Sequence, residues 1–242
     1  SILAQKYIKA MSGEVSVLRI SEFKPEFITS GQSKRNQNGG LRVDLEYTDP
    51  TVNVYLLQTP KVRLPFGMQE YENKDKSSYS LSLSFDNYKS NSSEAEFLRG
   101  IDAIDDHIKK LATENSKIWF KKQMKLDVID ELYRSSLKYS DDWPPLFKVK
   151  MPQWSGNFTC QIWDKDQKKC SSDEINKNCH VISLLQLQGL WFMDRMFGCN
   201  WVVKQVQVFP SAKIGSECLI QSRKGDDENS EENVSNVSVT TE

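Results

Sequence analysis

The chain has 242 residues, 38% hydrophobic and 10% aromatic, which is enough for a sizeable core and excludes a disordered chain. Its formal net charge of −1 hides an asymmetry: residues 226–242 carry six acids and no base, leaving 32 bases against 27 acids, a net +5, for the rest. No run of about 18 apolar residues exists, so no membrane-spanning helix is expected, and Ser1-Ile2-Leu3-Ala4-Gln5-Lys6 shows no signal-peptide pattern, though a leader already removed would leave none.

Val15 to Ile20 reads as a short strand, and residues 29–40 as a flexible polar loop. Leu41, Val43, Leu45 and Tyr47 alternate with Arg42, Asp44 and Glu46. Thr48-Asp49-Pro50 then turns the chain into Val52–Leu57, which predicts a hairpin over 41–57. Pro60 and Pro65 bracket Lys61-Val62-Arg63-Leu64. Proline cannot donate to a ladder, so this piece is expected at an edge or in an ordered loop. Tyr71–Ser78 is polar and expected to be exposed. Tyr79, Leu81, Leu83 and Phe85 alternate with three serines, as in a half-buried strand.

The period then changes. Phe97, Ile101, Ile104, Ile108 and Leu111 mark one helical face, with Ser93 and Glu96 as its capping box and an end near Asn115. Val128, Ile129, Leu132, Tyr133 and Leu137 predict a further helix before Trp143-Pro144-Pro145. Strand patterns resume at Phe147–Met151 and Phe158–Ile162. The longest signal is Val181–Phe209, a hairpin whose first run is expected to be buried on both faces. Gly198 and Asn200 supply its turn. Its second run places Trp201, Val203, Gln205, Gln207 and Phe209 on one face. From Lys224 on, the composition is that of a disordered acidic tail.

Strands, then one or two helices, then strands again describe a mainly β, α+β fold. The expected architecture is an OB-like antiparallel β-barrel with a helical insertion. Residues 1–210 would form it, with the insertion at about 93–140, and 211–242 would be linker and tail.

The search for chemistry is mostly negative. There is no phosphate-cradling glycine loop and no nucleophile motif. His107 reads as a solvated helix residue, and Asp105-Asp106 as solvated carboxylates or caps. Five cysteines, an odd number at wide spacing, argue against a disulfide framework and for a reducing compartment. Cys160, Cys170, Cys179 and His180 lack the close Cys-x-x-Cys pairs of a structural zinc site, so buried apolar thiols are expected, with no metal and no cofactor. Whether the four meet around a metal stays open at this level. N-x-Ser/Thr sequons at Asn91, Asn157, Asn233 and Asn236 fit chance in a chain rich in Asn and Ser.

The positive signal is cations interleaved with rings on β elements. Proteins that hold unpaired nucleic acid use this pairing: cations follow the phosphates while ring faces stack on bases. The candidate residues are Arg42, Tyr55, Lys61, Arg63, Phe66, Lys148, Lys150, Trp154, Trp163 and Lys204. Rings on strands are more often core, and Trp191 and Phe192 are read as core, whereas Trp154 lies in a loop. The acidic tail could compete for a basic groove, recruit a basic partner or simply aid solubility.

The order of Leu57-Gln58-Thr59-Pro60-Lys61-Val62-Arg63-Leu64-Pro65-Phe66-Gly67, a helical insertion, Pro145–Pro152, Gly189-Leu190-Trp191-Phe192 and Phe197-Gly198 resembles the predicted OB-fold single-stranded DNA-binding proteins of nucleocytoplasmic large DNA viruses. Those are similar to phage single-stranded DNA-binding proteins. The resemblance covers about residues 40–210, in layout and short words. It implies a non-enzymatic protein that coats single-stranded DNA with little sequence preference during viral replication, recombination or repair. Lys61, Arg63, Phe66, Lys148 and Lys150 would contribute. The implied partners are single-stranded DNA (or RNA) and replication or virion proteins through the tail, with self-association open. The implied location is the host cytoplasm or viral factory, the nucleus or the virion. Phage members often end in an aromatic residue, and this chain ends Val239-Thr240-Thr241-Glu242, which puts tail-mediated docking in doubt. The alternative is a virion or scaffold protein using the same rings as a dry interface.

Overall fold

A computed structural model describes residues 15–35, 40–73 and 76–211. The acidic tail lies outside the described residues, which end at the expected domain boundary of 210–211. The fold is mostly β with few helices.

The strands in chain order are β1 (Val15–Leu18), β2 (Ile28–Arg35), β3 (Leu41–Tyr47), β4 (Val54–Gln58), β5 (Val62–Arg63), β6 (Met68–Asn73) and β7 (Lys76–Ser84). Three helices follow: α1 (Ser92–Glu114), α2 (Ser116–Trp119) and α3 (Leu126–Leu132). Then come β8 (Leu137–Lys138), β9 (Leu146–Met151), β10 (Gln153–Trp154), β11 (Asn157–Phe158), β12 (Gln161–Trp163), β13 (His180–Met193) and β14 (Met196–Phe209). Twelve strands form one sheet in the order β1-β4-β13-β5-β7-β9-β14-β12, with β2, β3, β6 and β8 attached at its sides and β10–β11 as a separate ribbon. Because β13 also pairs with β14, the path β13-β5-β7-β9-β14 returns on itself.

The closing hairpin organises this sheet, but differently from its sequence pattern. Its turn is Asp194-Arg195, both in the left-handed region at φ 48° and 69°, between the paired Met193 and Met196. Gly198 and Asn200 lie within β14. In β13 only one face is fully buried (Val181, Ser183, Leu185, Leu187), while Ile182 and Leu184 are half-exposed. Leu184 pairs with Gln205 and Leu185 with Val203, so Lys204 is a bulged extra residue. The bulge reverses the alternation: Trp201 and Val203 are buried before it, Val206 and Val208 after it. Trp201 therefore belongs to the core, in edge contact with Phe147 at 5.6 Å.

Other expectations change for similar reasons. Residues 41–57 are not a hairpin, since β3 and β4 pair with successive parts of β13 instead of each other. The polar segment 29–35 is strand β2, held by its backbone ladder to β3. Val62–Arg63 is no edge; it joins β13 to β7. Part of the polar stretch from Tyr71 lies in a β6–β7 hairpin.

The helical face is as its spacing predicts: Phe97, Ile101, Ile104 and Ile108 are buried, and Phe97 stacks on Phe85 at 5.5 Å. The cap lies two positions earlier than the Ser/Glu pattern suggests. Asn91 Oδ1 accepts from the Ser93 and Glu94 amides at 3.0 and 3.4 Å. His107 is not solvated, for its Nε2 lies 2.9 Å from the Ile28 carbonyl. The second predicted helix stops at Leu132, and Tyr133–Lys138 runs extended.

Candidate nucleic-acid interface

Strand β9 alternates cleanly: Phe147, Val149 and Met151 enter the core, while Lys148 and Lys150 are exposed. Across the ladder Lys148 faces Ser82 and Lys150 faces Ser80. The serines are small enough to lie buried beneath this surface. Lys148 Nζ stands 4.2 Å from the centroid of Tyr71, a cation–π contact that leaves the ammonium at the surface.

Beside these lysines runs a groove of about 990 Å³. Its cations are Arg134, Lys138, Lys148 and Lys150, and among the described residues no acid lines it. Its apolar wall includes Trp191, Phe192, Met193 and Met196. Burial first, then the charges of Arg42 and Lys148, lower the pKa of Lys150. Partial desolvation and, second to it, like charge disfavour the charged ammonium unless an anion occupies the groove.

Besides β9, three parts of the fold build the groove. The ribbon β13–β14 supplies Trp191, which pairs with Gly198 on one side and with Arg42 of β3 on the other. The segment after α3 docks on β14 through the Arg134 amide, which donates to the Phe197 carbonyl at 2.8 Å. The Arg134 guanidinium is held by the Glu131 and Tyr133 carbonyls at 2.8 and 2.9 Å. Strand β8 brings Lys138 opposite Leu146.

Beneath Arg134 lies a buried polar cluster. Asp105 of α1 is 5% exposed and accepts from Tyr133 Oη at 2.6 Å and Ser135 Oγ at 2.5 Å. Tyr133 Oη also lies 3.2 Å from Cys199 Sγ. Burial raises the Asp105 carboxyl to about 6, against the opposing pull of the Ser135 and Tyr133 hydroxyls. The reading of Asp105 as a solvated carboxylate is thus corrected. Burial also raises the Cys199 thiol strongly, so it is a poor nucleophile.

Of the residues expected from sequence, Lys148 and Lys150 line the groove, while Arg42, the cross-strand partner of Trp191, has its Nε on Asp44 at 3.2 Å. The others lie elsewhere. Tyr55 is 8% exposed, packed against Phe23 and Tyr47 with its hydroxyl 3.3 Å from the Leu187 carbonyl. It is a core residue with no face free for a base, and its assignment to binding is corrected. Arg63 is tied to Asp86 by two guanidinium nitrogens and to Asn178 at 3.0 Å. Lys61 caps the Phe209 ring at 3.9 Å, near the start of α1. Phe66 is 52% exposed before the turn at Gly67. Trp154 is 77% exposed on the β10–β11 ribbon. Trp163 lines a separate amide-rich cleft with Gln205 and Gln207. Lys204 is the bulge residue. Lys61 and Arg63 therefore do not join Lys148 and Lys150.

Sequence reasoning missed Arg134, Lys138, Trp191 and Met193. The cysteines described are free thiols, and among the described residues no three His, Cys, Asp or Glu side chains are placed to hold a metal.

Comparison with known proteins adds the following. The model of a family described as "Family of unknown function (DUF5871)" matches residues 84–217. The chain is 28% identical over 183 residues to uncharacterized protein L291 of Acanthamoeba polyphaga mimivirus, covering 74% of this chain and 30% of that protein. The chain thus spans about a third of that relative's length. Among solved structures it is similar to gp2.5, a single-stranded DNA-binding protein of bacteriophage T7, at TM-score 0.46 and 10% identity, covering 69% of this chain and 98% of the other. It is also similar to the single-stranded DNA-binding protein of bacteriophage Enc34 in complex with single-stranded DNA, at TM-score 0.43 and 13% identity, covering 78% and 98%.

Proposed function

We propose that the chain, which belongs to the family DUF5871, is a non-enzymatic single-stranded DNA-binding protein that holds the strand in the groove beside β9. The observation that carries this reading is the groove's lining among the described residues: four cations, no acid and an indole wall, with Lys150 partly desolvated and near the like charges of Arg42 and Lys148. Phosphates would favour its charged form, and unpaired bases would meet Trp191. Every base has a π face, so little sequence preference follows. The ring of pairings β13-β5-β7-β9-β14 acts on this reading as an OB-like barrel, with the groove against its wall.

The biological setting belongs to the same proposal. The protein would coat DNA during replication, recombination or repair in the factory of a large DNA virus, in the nucleus or in the virion. Residues 226–242 would compete with DNA for the groove or recruit a basic partner.

Fluorescence titration with oligo-dT and with a duplex of equal length tests the reading. Oligo-dT should bind more tightly, with affinity falling steeply as salt rises above about 50 mM. Absence of binding at that salt, with or without residues 226–242, would sink it. Stoichiometric, nuclease-insensitive association with a coat or core protein would instead favour a virion or scaffold role.

A further inference from the structure

We propose that the helical insertion supplies a second cleft that continues the strand path, so that DNA leaving the groove crosses the tip of the β13–β14 hairpin and runs along the segment after α2. This rests on the groove being the nucleic-acid interface, and it adds the helical insertion to the binding surface.

Three observations support it. The first is continuity. A cleft of about 730 Å³ adjoins the groove and shares Gly40, Phe192 and Met193 with it. A polymer filling one has a direct way into the other over Met193, which is 60% exposed at the hairpin tip. The second is charge. Arg35, Lys121, Lys122 and Arg195 line the cleft, against one acid among the described residues, Asp194. The floor between them is aromatic: Phe192 meets Trp119 at 5.8 Å and Phe120 at 5.4 Å, both edge-on, and stacks on Phe197 at 5.5 Å. Cations around a ring floor suit an unpaired strand, whose phosphates and base faces need both.

The third is backbone conformation. Lys121 and Arg195 adopt the left-handed region at φ 61° and 69°. Glycine would sit there without steric cost, yet both positions carry long cationic side chains that line the cleft. Conformations of this kind gather at ligand clamps, where the side chain's placement outweighs the local cost.

The occupant this fits is the continuation of the same strand, because the cleft opens into the groove and carries the same sign of charge. Its signature is length dependence. Oligo-dT of about 5 and about 16 nucleotides brackets the site sizes of OB-type binders. With the full chain, Lys122→Ser combined with Arg195→Ser should weaken the longer oligonucleotide and lower the magnitude of its salt slope by about 1.4, from about 0.7 per phosphate contact. The shorter one should be unaffected. Lys148→Ser combined with Lys150→Ser should weaken both. Lys121→Gly guards against a folding artefact: it should raise the melting temperature while weakening the longer oligonucleotide.

If the cleft variants keep the longer oligonucleotide's affinity and slope while the groove variants lose both lengths, the extension is wrong and the groove stands. Equal weakening of both lengths by the cleft variants also overturns the extension. If the groove variants leave both lengths unchanged, the reading of the groove falls as well.

Discussion

The indole of Trp191 packs against Gly198, its cross-strand partner in the closing hairpin. A Cβ at position 198 would stand 2.9 Å from Trp191 Cζ2 and closer still to the Arg134 carbonyl oxygen. Glycine is required there for close approach, not for a turn. It lets the ring and the Arg134 segment converge on one point of β14, and so brings an aromatic wall and a cation to the same groove. Gly198→Ala should cost about 1–3 kcal/mol by overpacking, read as a lower denaturant midpoint. It should weaken oligo-dT binding as well, because Trp191 and Arg134 must both shift.

Lys150 offers a contrasting case. Its ammonium is held near Arg42 and Lys148, so Lys150→Met should leave stability unchanged or raise it. Binding should fall by about tenfold or more, the order of a lost charge-assisted hydrogen bond. Thermal melts and oligo-dT titrations of one preparation check both signs. A variant that loses stability and binding together would mean that Lys150 serves the fold.

Arg63 should behave oppositely. Its guanidinium is occupied by Asp86 and Asn178, and Asp86, despite its own partial burial, is held below its usual range by Arg63 and Ser84. Arg63→Ala should cost about 1 kcal/mol, the scale of a partly exposed ion pair, and leave oligo-dT affinity unchanged. A double-mutant cycle with Asp86→Ala isolates the pair.

Asp105 links stability to pH with a defined sign. Its folded value, about 6, lies above the unfolded 3.8. Between these values the folded state binds more protons, so this group's contribution to stability is greatest at or below about pH 4 and falls as pH rises to 6. The size is about 3 kcal/mol, from the gap between 3.8 and about 6. Asp105→Asn should flatten the profile across that window. Urea unfolding of both proteins from pH 4 to 7 measures the difference, which cancels the opposite contribution of Asp86.

What the sequence made legible follows from unbroken periodicity. Phe97, Ile101, Ile104 and Ile108 keep one helical face, and Lys148 and Lys150 keep one strand face, so their placement could be read directly. The bulge at Lys204 was invisible because a period of two has no means of marking a skipped residue. Strand β2 was invisible because its ladder is made by backbone groups, whatever the side chains. Arg134 and Lys138 were hidden for another reason. They follow a pattern that reads as helix, while the Arg134 amide is drawn off to the Phe197 carbonyl. Trp191 looked like core because it sits in an apolar run, and only the pairing with Gly198 and Arg42 shows its groove side.

The pairings of β13 carry a consequence for synthesis. This strand meets β3, β4 and β5 in contacts that join residues more than a hundred positions apart, such as Leu57 and Leu185. None can form until the chain beyond His180 has left the ribosome. Until then β3, β4 and β5 lack their common partner, and loop closure must precede any gain from pairing. The nascent chain should therefore wait as an incompletely paired, aggregation-prone species, and its maturation should follow the release of its last hairpin.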